Sequence, residues 1–263
     1  SKTMTEEKVL LRIEDNVAVV TLNAPEVLNA LSAEMVRQLS VAVSKAAKTE
    51  GIRCLLINAA GRGFCAGANL QARGASTDLP PAGSALETHY APLMNKLRNL
   101  SFPIVTAVNG PAAGVGMSLA LTGDIVMAAD TAYFLQAFAK IGLVPDGGAT
   151  WYLPRLIGWG RAMELSLLAE RLPASEALSW GLVNRVVPEA ELEAASMAMA
   201  HRLAAGPKSL GLIRKAYWAS WENDFNKQMQ LEADLQTEAH ASADNREGVA
   251  AFLEKRPPVF KGQ

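Results

Sequence analysis

The 263-residue chain is poor in cysteine, histidine, aromatic side chains and net charge. Two cysteines, Cys54 and Cys65, cannot build a disulfide scaffold, and they do not pair at metal-ligand spacing. Such sparing use fits a reduced, cytoplasmic setting. The three histidines, His89, His201 and His240, are isolated, and no His-Glu-x-x-His motif occurs. With 25 basic and 26 acidic side chains the formal net charge is -1. That balance excludes a general attraction to nucleic acid or to an anionic membrane surface. No Gly-Lys-Ser or Gly-Lys-Thr phosphate loop occurs, and neither glycine-bearing turn has the spacing of a dinucleotide fingerprint. Ser1 to Lys8 lacks the apolar stretch of a secretory signal. The longest uncharged run, Phe102 to Gly123, is broken by Pro103, Asn109, Gly110-Pro111, Gly114 and Gly116. A buried strand, a tight turn and a buried helix explain it better than a membrane span.

Hydrophobic residues make up 50% of the chain, so a substantial core is available for one large domain. Val9–Ile13 and Val17–Leu22 flank Glu14-Asp15-Asn16 and predict a hairpin. Ser32 is placed to cap a helix running to about Lys48. Arg53–Asn58, Ile104–Val108 and Asp124–Ala129 are short apolar runs of buried-strand type. Separated by helical stretches, they predict an α/β domain with parallel strands. Beyond Trp151 only Val183–Val187 looks like strand, and two or three helices are expected after Pro207. Gln71–Ala85, with Gly74, Pro80, Pro81 and Gly83, predicts a flexible loop, a candidate cover for a site.

Two glycine-bearing turns follow buried strands: Gly61 to Leu70, and Asn109 to Ser118. Small residues there leave backbone N–H groups open to a ligand, and equally suit tight packing. A helix beginning near Gly114 is expected at the second turn.

Phe64-Cys65-Ala66-Gly67-Ala68-Asn69-Leu70, Ala107 to Gly116, and Leu143-Val144-Pro145-Asp146-Gly147-Gly148-Ala149-Thr150 resemble the crotonase superfamily, the enoyl-CoA hydratase/isomerase family. The likeness extends to Pro25–Leu31, Ala177–Val187 and Glu247–Arg256, and so spans nearly the whole chain. It implies a spiral core of ββα units over residues 1–205 and a C-terminal helical region, 206–263, for oligomerisation and completion of the CoA site. It also implies acyl-CoA substrates, with no cofactor beyond the CoA of the substrate itself, no nucleic acid or membrane partner, and a homotrimer or dimer of trimers. The resemblance assigns the N–H groups of Ala68 and Val115 to an oxyanion hole. Substrate contacts carried over with the matching motifs are Val27, Leu28, Ala66, Gly67, Ala68, Leu70, Phe252 and Lys255.

Hydratases of this family resemble one another in two catalytic glutamates, whose places here hold Ser118 and Phe138. Asp146 stands where several isomerase-type members resemble one another in bearing an acid. One carboxylate suffices to remove a proton at one carbon and return it at another. Asp146 would also suit a helix cap before Gly147-Gly148. Isomerisation is therefore the first expectation and hydration the alternative. A CoA-thioester hydrolase using Ser118 or a non-catalytic CoA-binding scaffold comes after these, since Gly-Met-Ser-Leu-Ala is not the Gly-x-Ser-x-Gly nucleophile elbow. Phe64, Tyr133 and Trp151 are expected as pocket or core walls, and Lys255-Arg256 suits a basic helix end as well as a CoA contact.

Overall fold

The computed structural model describes residues 6–69, 83 and 86–263. Its first element is the expected hairpin: β1 (Val9–Glu14) pairs antiparallel with β2 (Val17–Leu22) across Asp15-Asn16, Asp15 turning with φ of 51°. Four parallel strands extend the sheet from β2: β3 (Cys54–Ala59), β4 (Ile104–Val108), β6 (Ile125–Ala129) and β9 (Arg185–Val187), in the order β1-β2-β3-β4-β6-β9. Every residue of β4 is buried, as are the first four of β2 and of β3. Burial on both faces is why these segments are continuous apolar runs rather than alternating ones.

The helix Ala33–Lys48 starts where Ser32 Oγ accepts from the N–H of Met35 at 3.2 Å, a cap that contributes about 1 kcal/mol. Met35, Val36, Leu39, Ala42, Val43 and Ala46 form its buried stripe at helical spacing. The uncharged run at 102–123 resolves into β4, a turn and the buried helix Val115–Ala120. No helix among the described residues is long and apolar enough to cross a membrane.

A second sheet was not foreseen. β5 (Ala112–Ala113) pairs in parallel with β7 (Tyr133–Leu135), which pairs antiparallel with β8 (Leu172–Pro173). Strands of two or three residues carry no readable periodicity, so β8 also escapes a reading that finds only Val183–Val187 beyond Trp151.

Three helices follow Pro207: Ser209–Ser220, Phe225–His240 and Ala243–Glu254. The first is locked to the core by Arg214, whose Nε donates to Asp124 Oδ2 at 2.9 Å and whose Nη1 donates to the carbonyls of Arg98 and Leu100, both at 2.7 Å. Beside it Trp151 and Trp218 stack at 6.0 Å and 7°, with Trp221 edge-on to both. Trp151 is thus part of a wall between the core and the C-terminal helices. Phe64 is fully buried in the core. Nearly all of the loop expected at Gln71–Ala85 lies outside the described residues; only Gly83 of it is described.

Candidate active site

Two turns meet beyond the strand ends. The first is held as a short parallel bridge, Leu31 to Ala68, in which Leu31 N donates to Gly67 O at 2.6 Å and Asn69 N to Leu31 O at 2.9 Å. Ala66 N donates to Leu28 O at 3.0 Å. Val27 closes the short helical turn Pro25–Val27, and Leu28 turns left-handed at φ of 52°. Val27, Leu28, Ala66, Gly67 and Ala68 therefore lie on the two segments that these bonds join. Leu70 lies outside the described residues.

Asn29 is the organiser that sequence reasoning missed. It is fully buried, accepts from Ala24 N at 2.7 Å, and donates to Ala60 O and Gly63 O at 2.9 and 3.0 Å. It ties the Pro25–Leu31 turn to the Gly61–Asn69 turn. Its φ of 57° suits asparagine, the one available signal.

The second turn joins the first through Cys65, which bridges Ala112 and whose carbonyl accepts from Ala113 N at 3.0 Å. Gly67 and Gly114 then face each other with φ of 101° and 57°. Gly114 opens the helix Val115–Ala120, the predicted start. The N–H groups of Ala68 and Val115, each one residue past its glycine, donate to no acceptor among the described residues. Two unengaged backbone donors flanking a close contact can bind an oxygen bearing developing negative charge.

Asp146 lies against the same helix. A Cβ on the following Gly147 would stand 2.9 Å from Ser118 Cβ and 3.0 Å from Val115 Cγ2. The backbone carbonyl of Asp146 accepts from Ser118 Oγ at 2.8 Å and from Ala149 N at 3.2 Å. The carboxyl makes no cap. The helix Ala149–Ile157 begins at Gly148 with no side-chain hydrogen bond, so the capping alternative for Asp146 falls. Asp146 Oδ1 is buried without a hydrogen-bond partner among the described residues. Burial lifts the carboxyl from its ordinary 3.8 to about 6, with no charged neighbour contributing.

Phe138 stands over Gly114, its Cζ 3.3 Å from where a Cβ of that glycine would be. Ser118 is fully buried beneath Asp146. The two positions that lack glutamate thus hold an aromatic wall and a hydroxyl turned to the backbone. His201 sits 3.3 Å from Glu14, remote from these groups in its contacts. Tyr133 packs under Arg171. Burial pushes the thiols of Cys54 and Cys65 up to about 12, which leaves them inert at neutral pH.

Phe252 and Lys255 are not brought to this cluster within the chain. Phe252 is 82% exposed at the end of the helix Ala243–Glu254, and Lys255 is the left-handed residue that closes it. Arg256 pairs with Glu247 and Glu254 at 2.8 and 2.6 Å instead of standing free at the helix end. Two grooves, of about 510 and 370 Å³, run among the C-terminal helices; Phe252 lines the smaller, and Asp146 lines neither. Among the described residues no three His, Cys, Asp or Glu side chains could hold a metal ion together.

Comparison with known proteins identifies the family and the fold. The family described as enoyl-CoA hydratase/isomerase matches residues 12–263. The chain is 45% identical over 260 residues to a 1,2-epoxyphenylacetyl-CoA isomerase of Escherichia coli, covering 98% of this chain and 99% of that protein. It is 43% identical to a Rhodobacter capsulatus protein named "Probable enoyl-CoA hydratase", over 99% of this chain and all of the other. The crystal structure of an enoyl-CoA hydratase from Polaromonas sp. JS666 superposes with a TM-score of 0.90 at 33% identity, over 96% and 99% of the two chains.

Proposed function

The chain belongs to the enoyl-CoA hydratase/isomerase family, and on that premise we propose that it isomerises a double bond or strained ring within an acyl-CoA thioester. The observation that carries the reading is the desolvated carboxyl of Asp146, with no hydrogen-bond partner at Oδ1 among the described residues and packed through Gly147 against the helix that bears Val115.

In this reading the thioester carbonyl oxygen accepts from Ala68 N–H and Val115 N–H. The Asp146 carboxylate takes a proton from the carbon next to that carbonyl, and the electron pair moves into an enolate whose charge rests on the held oxygen. The protonated Asp146 then returns the same proton to a carbon further along the acyl chain, so nothing is gained or lost overall. A carboxyl near 6 is mostly ionised at neutral pH yet binds a proton far more readily than an ordinary aspartate. Phe138 favours isomerisation over hydration, because an apolar ring stands where a second acid would hold water. The 1,2-epoxyphenylacetyl-CoA isomerase among the relatives supports the same choice.

Asp146→Asn is the direct test. Amide and acid are nearly isosteric, so the variant should fold and bind CoA thioesters while losing turnover. Retention of more than about a tenth of wild-type isomerisation would remove Asp146 from this role. Incorporation of solvent oxygen into the product would favour hydration instead.

Assembly as a homotrimer or dimer of trimers belongs to the same proposal. Trp159, Leu167, Phe252 and Leu253 are 73, 66, 82 and 73% exposed, a heavy apolar load for an isolated chain. Phe252 and Lys255 would then complete the CoA site of a neighbour. A stable monomer in sedimentation at micromolar concentration would contradict it.

A further inference from the structure

We infer that Ser118 is the positioning residue for the acid: its hydroxyl, bonded to the backbone carbonyl of Asp146, fixes where that carboxyl stands relative to the Val115 N–H. The inference rests on the reading of Asp146 as the proton shuttle. Ser118 is fully buried, and its Oγ donates to Asp146 O over 2.8 Å. It lies one helical turn after Val115, on the same face of Val115–Ala120. Gly147 packs into the gap between these two side chains, where a Cβ would meet Ser118 Cβ at 2.9 Å and Val115 Cγ2 at 3.0 Å. One rigid helix face therefore carries both the unengaged Val115 donor and the grip on the acid's backbone.

That grip has work to do. The carboxyl itself has no hydrogen bond at Oδ1 to orient it among the described residues, and the capping bond that would have fixed it is absent. Gly147 and Gly148 follow with φ of 67° and 95°, a pair of residues that does little to stiffen the segment. Among the described residues, the other donor to the Asp146 carbonyl is the Ala149 N–H at 3.2 Å. An orienting bond on the backbone leaves both carboxyl oxygens free for the proton, which a bond to the carboxyl itself would not.

Ser118→Ala removes the hydroxyl at little cost to the helix, and Ser118→Cys keeps a small side chain with a weaker donor. Two readouts distinguish positioning from bulk stability. The first is the titration midpoint of the Asp146 carboxyl by carbon NMR, assigned by the resonance missing in Asp146→Asn. Release of the segment admits water, so the midpoint should move from about 6 toward the ordinary 3.8 in Ser118→Ala, with Ser118→Cys between. The second is steady-state turnover of 3-hexenoyl-CoA, where kcat should fall at least about tenfold with KM changed less than about threefold. A midpoint and a kcat that both stay at wild-type values in folded Ser118→Ala would overturn the positioning role, even with Asp146→Asn inactive. Full turnover by Asp146→Asn would instead overturn the shuttle on which the inference rests.

Discussion

Gly67 and Gly114 touch backbone to backbone: a Cβ on either would come within 3.9 Å of the other's Cα. On Gly67 it would also meet the carbonyl oxygen of Ala113 at 3.0 Å, and on Gly114 the ring of Phe138 at 3.3 Å. Ala68 and Val115 each follow one of these two glycines, so the contact brings their backbone segments side by side.

Alanine at either glycine should therefore damage the site before the fold. The φ values of 101° and 57° are costly for a residue with a Cβ, on the order of 1–3 kcal/mol. Gly67→Ala should lower the melting temperature modestly and kcat by far more than KM. Equal kcat in wild type and Gly67→Ala would show that the two turns do not need this spacing.

Val115 allows backbone chemistry to be separated from side-chain chemistry. Val115→Ala keeps the N–H and should lose less than about tenfold in kcat, whereas Val115→Pro removes it and should lose roughly 10²–10³. Proline is tolerated at the first helical position, and the Val115 N–H donates to no acceptor among the described residues. Equal activity in the two variants would make Val115 a packing residue only.

The raised carboxyl of Asp146 predicts opposite pH behaviour for activity and stability. Activity needs the ionised form, so kcat/KM should fall as pH drops below about 6. Stability runs the other way. The folded state holds this proton more tightly than the unfolded chain, so wild type loses stability as pH rises from about 3.8 to about 6. Asp146→Asn escapes that loss. Its melting temperature should exceed that of wild type above pH 6, and the gap should close by about pH 4. A gap independent of pH would mean that the carboxyl is not desolvated.

Most of what positions the site was legible because it is local. The Asp15-Asn16 turn, the Ser32 cap and the helix start after Gly114 each depend on a few adjacent residues. Asp146 and the Ala68 and Val115 turns stood out through the matching motifs. Contacts between distant segments were not legible. Ser118 to Asp146 spans 28 residues, Asn29 to Gly63 spans 34, and Arg214 to Asp124 spans 90. A serine inside an apolar helix carries no sign of which carbonyl it will meet. The second sheet was hidden for another reason: β5, β7 and β8 are too short to show a period.

The tryptophan wall has an optical consequence. Trp151 and Trp218 lie nearly parallel, Trp221 stands 73° and 80° from them, and all three centroids fall within 6.0 Å of one another. Indole transitions so close and so fixed couple as excitons and give a signed circular-dichroism band that free or tumbling indoles lack. Trp151 is borne by the helix that follows Asp146-Gly147-Gly148, and its two partners by the segment anchored at Arg214. The chain thus carries its own unlabelled gauge of whether the C-terminal helices are seated against the acid-bearing segment, readable in the ultraviolet without substrate.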